Sequence, residues 1–273
     1  MGSVKAVAKQ LIRRTTGLEI VNPKKYDIVA KARRMIKMDV PSYPIISYAR
    51  RDSFELAEQE AGIGYVDPIL VEGDRSTTLS PDLTLLPDYF GAQIAAFAIV
   101  LSQLSGRPLT VMDFGGAHGD LCRIVTSALG LPQNVLNWNV VETDVYVEHA
   151  KRNPQPGITF HRTTETLANI DIAVFSGVIH LLKDWQTHLL DPKVSEASFV
   201  LTSRTPIGKI EVPFLQTVEY SHGKVRYPGR IMAENEISDA LSRTHKRLIA
   251  WDLAHHMVSL GIVGAPTVLW QRR

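Results

Sequence analysis

Apolar runs and amphipathic stretches alternate through the second half of the chain. Val111 and Met112 lead into Asp113, a glycine-rich interval follows, and Leu121, Ile124, Val125 and Ala128 then recur at helical spacing. That pattern predicts a strand, a tight turn and a helix. Further runs from Trp138 to Glu142, Ile158 to His161, Asp171 to Ser176 and Ser198 to Ser203 predict four more strands, with helical patterns between most of them. Such alternation implies parallel strands joined by right-handed crossovers, with a ligand crevice where the strand order reverses. Beyond them Ala233 to Leu241 reads as a helix. Arg247 to Asp252 and Pro266 to Gln271 read as a closing strand pair, separated by Gly261 and Gly264.

The first half is patterned differently. Tyr89 to Leu104 is apolar almost all round, which predicts a helix buried against the sheet or a partner subunit. Residues 41–106 read as a mostly helical lead-in: Asp52 to Glu55 has capping-box spacing, Phe54 to Ala61 is a short helix stopped by Gly62, and 77–88 is loop. Residues 1–40 stand apart. Val4, Val7, Ala8, Leu11 and Ile12 share one helical face, with Lys5, Lys9, Arg13 and Arg14 on the others. The division expected is a basic helical extension over 1–40, a helical lead-in over 41–106 and a ligand-binding domain over 107–273.

At 273 residues and 45% apolar, the chain has the make-up of one large globular domain with an extension. Its net charge of +2 hides an asymmetry: residues 1–40 hold ten Lys or Arg against Glu19, Asp27 and Asp39, a balance of +7, which leaves −5 for the rest. Two readings of the basic helix stay open, a weak anchor to an anionic membrane surface and a solvated helix packed on the body. It has no interleaved aromatics and the remainder is acidic, so nucleic acid is not an expected partner. The longest apolar run, Ile94 to Leu101, is too short to span a bilayer, and no secretory leader pattern is seen. Cys122, the single cysteine, excludes an internal disulfide and a cysteine-based metal site. Adjacent His255 and His256 rarely converge on one ion, so no metal is expected. A cytoplasmic protein is expected, with the inner face of the membrane as its one peripheral alternative.

The chemistry concentrates between Asp113 and Asp120. Glycines allow a sharp bend and close approach of backbone to ligand, and the helix that follows offers unpaired N–H groups. Neither Gly115 nor Gly116 starts a G-x-G-x-x-G dinucleotide motif. Asp113-x-Gly115-x-Ala117-x-Gly119 instead resembles the D/E-x-G-x-G-x-G loop of class I S-adenosylmethionine methyltransferases, with Ala at the middle glycine. The resemblance implies a Rossmann-like α/β fold with a mostly parallel seven-stranded sheet, an antiparallel C-terminal strand pair and S-adenosylmethionine as cofactor. Asp113, Gly115, Gly116, Ala117, His118 and Gly119 would form the cofactor loop.

Glu142 ends the second strand, where a carboxylate can accept hydrogen bonds from ribose hydroxyls; the other reading is a cap on the next helix, with Asp144 competing. Thr163, Thr164 and Glu165 follow the third strand, where methyltransferases commonly contact adenine, and the choice among them stays open. Ser176 and Gly177 begin the methionine-side wall. His180, past the fourth strand, is placed either to take a proton from an acceptor or to pack as a hydrogen-bonded histidine. His118 is open between the cofactor and solvent. Arg204, past the fifth strand, is open between holding an anionic acceptor and pairing with a local carboxylate. Tyr220, His222, Arg226 and Tyr227 fall where an acceptor lid is built, and Tyr227 is the substrate-side candidate among them.

Phe175 to Trp185, Val200 to Pro206 and Tyr227-Pro228, taken with Asp113 to Gly116 and Val140 to Glu142, carry a closer likeness. They resemble an uncharacterised bacterial family regarded as class I methyltransferases and associated with O-antigen or other surface-polysaccharide gene clusters. His180 stands where that family is expected to have Gln, and Leu181 where an aromatic is common. The resemblance implies methyl transfer to a small-molecule or saccharide acceptor. The alternatives are a non-catalytic binding protein of the same fold and a nicotinamide-linked oxidoreductase.

Overall fold

The computed structural model describes residues 45–69, 71, 88–104, 106–132, 134–220, 223–257 and 260–273. The basic extension over 1–40, the loop predicted over 77–88 except for Asp88, and His222 lie outside the described residues.

In chain order, β1 (Ile45–Arg50) and α1 (Phe54–Ala61) precede a 3-10 turn at Gly64–Val66, and α2 (Asp88–Gln103) follows. An alternating half comes next: β2 (Leu109–Phe114), α3 (Asp120–Leu129), β3 (Leu136–Val141), α4 (Asp144–Arg152), β4 (Ile158–His161) and β5 (Ile172–Ser176). A 3-10 turn (Ile179–Leu181), α5 (Trp185–Leu189) and α6 (Pro192–Glu196) then lead to β6 (Phe199–Ser203). The last part holds β7 (Ile207–Gly208), β8 (Val212–Tyr220), β9 (Gly223–Ala233), α7 (Glu236–Leu241), β10 (His245–Trp251), β11 (Ala254–Met257), β12 (Gly261–Gly264) and β13 (Thr267–Arg272).

Seven strands form the central sheet in the order β10-β13-β6-β5-β2-β3-β4. β2 to β6 run parallel, while β13 is antiparallel to both β6 and β10. This is the class I methyltransferase arrangement, with its antiparallel pair at the C-terminus. Because helices cover both faces, the strands read as unbroken apolar runs, and their period of two sorts side chains to opposite layers. Val111, Ile172, Val174 and Leu201 pack into the layer of α2 and α3. Met112, Ala173, Phe175 and Val200 pack into the opposite layer with Trp185 and Ile237. The long apolar helix predicted over 89–104 is α2, buried on the first layer.

A second sheet, ordered β1-β8-β9-β7-β12-β11, was not foreseen from the sequence. It corrects one expectation: the lead-in is not only helical, since Ile45–Arg50 pairs antiparallel with β8 across 160-odd residues of intervening chain, from Ile45 opposite Glu219 to Arg50 opposite Phe214. Between the last two central strands, β11 and β12 form a hairpin that reaches β7. Two local boundaries also shift. The cap of α1 is Ser53, whose hydroxyl accepts from the Leu56 N–H at 3.1 Å, one residue after Asp52. The strand β9 runs on to Ala233, so the helix predicted from there begins at Glu236.

Arg230 joins the second sheet to the central one. It is 8% exposed, its guanidinium lies 3.9 Å over the Phe54 ring, and it donates to the Leu182 and Lys183 carbonyls at 3.2 and 3.3 Å. Gly229 in the same strand is required by contact: a Cβ there would meet the Phe214 ring at 2.4 Å. No helix among the described residues is long and apolar enough to cross a membrane.

Candidate ligand site at the strand ends

The order of the central sheet reverses at β2, and the glycine bend follows that strand directly. Gly115 and Gly119 take positive φ of 69° and 72°, and Ala117, between them, takes 48°. Each glycine is also forced by space. A Cβ on Gly115 would meet Val178 Cγ2 at 2.5 Å, one on Gly116 the Asp113 carboxylate at 2.5 Å, and one on Gly119 Ile158 Cδ1 at 2.7 Å. The bend is therefore pressed between the end of β5 and the start of β4. Ala117 is tolerated in the left-handed region at the cost of some strain.

Glu142, half-buried at the end of β3, folds back onto this bend. Its Oε1 accepts the Ala117 N–H at 3.1 Å and its Oε2 the Thr143 N–H at 2.7 Å. The two readings of Glu142 meet here, since one oxygen serves the start of α4 and the other reaches the loop. An ionised carboxylate offers about four acceptor positions and can accept more than one hydrogen bond at each oxygen. Asp144 does not compete, because it pairs with Arg162 at the surface.

Asp113 lies beneath the bend, 1% exposed, and accepts the Trp138 indole N–H at 3.1 Å. Burial pushes its carboxyl up to about 7; the indole opposes that rise, Glu142 adds to it and Arg204 counters it. His118 does not point to solvent. It is 6% exposed, its Nε2 is 3.2 Å from the Val71 carbonyl oxygen, and its ring packs 5.2 Å from Tyr146 and 5.1 Å from His149. The side chain thus ties the bend to the lead-in.

Toward the third strand, Thr164 donates its hydroxyl to Asp191 at 2.8 Å, while Thr163 is exposed. At the end of β5, Ser176 accepts from Gln93 Nε2 at 2.7 Å. Gln93 is fully buried, and its Oε1 has no hydrogen-bond partner among the described residues. A serine hydroxyl donates as well as accepts, so this amide can turn to leave either a donor or an acceptor for a ligand. Gly177 has φ 75°. His180 sits in the 3-10 turn beyond it, 7% exposed, with its ring 6.3 Å from Phe214.

The second sheet roofs this end of the molecule. Tyr48, Gln216 and Tyr227 stand opposite one another on β1, β8 and β9 and so share one face. Gln216 donates to the Tyr227 hydroxyl at 2.8 Å, and Tyr48 meets Phe214 edge-on at 5.4 Å. Tyr227 is 8% exposed and lies 4.6 Å from the Tyr65 ring. Tyr48, Tyr89 and Gln93 were missed in the sequence: each lies far from the loop along the chain, and none sits in a motif.

Similar architectures occur among solved methyltransferases. One is the 1,6-didemethyltoxoflavin-N1-methyltransferase of Burkholderia thailandensis with 1,6-didemethyltoxoflavin and S-adenosylhomocysteine bound, at 14% identity over 85% of this chain and 99% of that one, with a TM-score of 0.48. A second is an S-adenosylmethionine-dependent methyltransferase from Clostridium acetobutylicum, at 10% identity over 76% and 99% of the two chains and a TM-score of 0.49. A third is the N-methyltransferase NodS of Bradyrhizobium japonicum with S-adenosylhomocysteine, at 12% identity over 76% and 99% and a TM-score of 0.43. No protein-family model matches the chain, and no curated protein matches it in sequence.

Proposed function

We propose that this chain is an S-adenosylmethionine-dependent methyltransferase acting on a small molecule or a saccharide. The observation that carries the reading is the contact between the Ala117 amide and the Glu142 carboxylate. It brings a glycine bend and a strand-end acid together at the point where the sheet order reverses, the geometry that holds an adenosine. When bound, S-adenosylmethionine supplies a sulfonium methyl group that passes in line to an acceptor oxygen or nitrogen, the electron pair of the broken S–C bond staying on sulfur.

The residues around that seat divide the work. Glu142 takes the ribose hydroxyls, Thr163 and Thr164 flank the adenine end, and Ser176 and Gly177 wall the methionine end, with Gly115 to Gly119 as the backbone cradle. His180 takes the proton the acceptor loses, and the sheet carrying Tyr227 keeps water out. Arg204 bounds the acceptor side. The sequence likeness to a surface-polysaccharide-associated family supports a saccharide acceptor and a cytoplasmic setting.

Calorimetric titration of the full chain with S-adenosylmethionine, S-adenosylhomocysteine, NAD and NADP tests this. Binding of the two sulfur ligands alone is expected. Binding of NAD or NADP in their place would overturn it. Binding of the sulfur ligands in a protein whose His180→Gln variant shows unaltered transfer would remove the base from the reading and leave the cofactor.

A further inference from the structure

Arg204 ends β6 in the left-handed region, with φ of 57°. A non-glycine residue held there is strained, and such conformations gather at binding and catalytic sites. Its guanidinium is framed on two sides. The carbon at its centre lies 4.8 Å over the Tyr89 ring. On another side it lies 3.4 Å from the place a Cβ on Gly177 would take, so the absence of a side chain at 177 leaves it room. Stacking of this kind fixes the plane of the guanidinium while leaving its in-plane donors free.

Among the described residues no carboxylate pairs with Arg204, the alternative partner that was expected. Arg204 is exposed and makes no ion pair among the described residues. The buried acid that feels its charge, Asp113, lies under the glycine bend and is held toward its neutral form. From the roof, Tyr48 faces the same charge: burial raises its hydroxyl above the ordinary value and Arg204 counters only part of that rise, so the phenol stays a donor. The positive fork of Arg204 therefore stands at the end of β6, with the neutral Tyr48 phenol on the roof within reach of its charge.

We propose that Arg204, framed by Tyr89 and Gly177 and faced by Tyr48, binds an oxyanion carried by the acceptor, a carboxylate or a phosphate ester. The methyl-transfer reading is needed only to call the bound molecule an acceptor; the anion site stands on the arginine's own surroundings. Carboxylate and phosphate both match the planar fork, which accepts two parallel oxygens.

The test is protection of the full chain from phenylglyoxal, which modifies accessible guanidinium groups, with each arginine followed by peptide mass mapping. Inorganic phosphate and acetate are the two probes. Arg152 and Arg247, exposed and without ion pairs among the described residues, are internal references. At least one probe is expected to protect Arg204 at a half-protecting concentration about tenfold lower than it needs at the references. Which probe does so names the anion. Equal protection at all three arginines, or none at Arg204, overturns the proposal. In Tyr48→Phe the concentration needed at Arg204 should rise about threefold while the references do not move; an unchanged value removes Tyr48 from the site. Titration with S-adenosylhomocysteine separates the two readings: selective protection in a protein that does not bind it keeps the anion site and discards methyl transfer, and the reverse outcome discards the anion site alone.

Discussion

The Ala117 N–H lies 3.1 Å from Glu142 Oε1, so the bend after the first central strand and the acid after the second are already joined before any ligand arrives. Prearranged in this way, the carboxylate loses little freedom when it accepts further hydroxyls. Glu142→Gln keeps one acceptor oxygen and removes the charge. A hydrogen bond to a charged group contributes roughly 1.5–3 kcal/mol, so the variant is expected to bind S-adenosylhomocysteine about 10- to 100-fold more weakly by calorimetry. Unchanged affinity would detach Glu142 from the ribose.

Gly115 and Gly130 offer a matched pair. Both have positive φ, but a Cβ at 115 meets Val178 at 2.5 Å whereas one at 130 meets nothing within 4 Å. Gly130→Ala should cost about 1 kcal/mol in stability and leave ligand binding alone. Gly115→Ala should move the bend and abolish the thermal shift given by S-adenosylhomocysteine. Retention of that shift in Gly115→Ala would show the bend to be more compliant than the contact implies.

The Asp113 carboxyl, raised by burial from 3.8 to about 7, makes stability depend on pH. Between those values the folded protein holds a proton that the unfolded chain has released. Stability is therefore fullest below the ordinary carboxylate range, falls as pH rises toward 7 and levels off above it. Asp113→Asn keeps an acceptor for Trp138 and removes this decline. Relative to the wild type it should gain up to roughly 4 kcal/mol on going from about pH 4 to about pH 8, measured by urea unfolding. Parallel pH profiles for the two proteins would contradict the burial account.

Arg230 holds the roof to the body through Phe54 and two carbonyls. Arg230→Met retains the apolar stem and loses both carbonyl contacts together with the 3.5 Å ion pair to Glu211. A destabilisation of roughly 2–4 kcal/mol is expected, and Arg230→Lys should recover only part of it because an ammonium lacks the planar fork. Full recovery with lysine would show that charge alone suffices.

The central sheet was legible in the sequence because its strands are buried on both faces, and such strands read as unbroken apolar runs between glycine stops. The loop from Asp113 to Gly119 and the acid at 142 were legible for a different reason: backbone geometry and strand-end position constrain residue type there. The second sheet was not. Strands β8 and β9 mix buried and exposed positions, and β1 finds its partner far along the chain, so local periodicity carries no trace of the pairing. The same distance hid Tyr48 and Gln93. Arg204 was visible as a residue, but its lack of an ion pair among the described residues is a tertiary fact. His118 shows the opposite limit: its place in the loop left cofactor and solvent both open, and packing against Tyr146 and Val71 removes the solvent alternative.

Strand β1 is synthesised before all of the central sheet, yet the edge it completes belongs to β8, which is made only after five of the seven central strands. Closing so long a loop is entropically expensive and slow, and pairings of this type form late in folding. The glycine bend and Glu142 are thus assembled from neighbours, whereas the wall bearing Tyr48 waits for the chain to return. A nascent or truncated protein would form the bend and its contact with Glu142 first and the roof last.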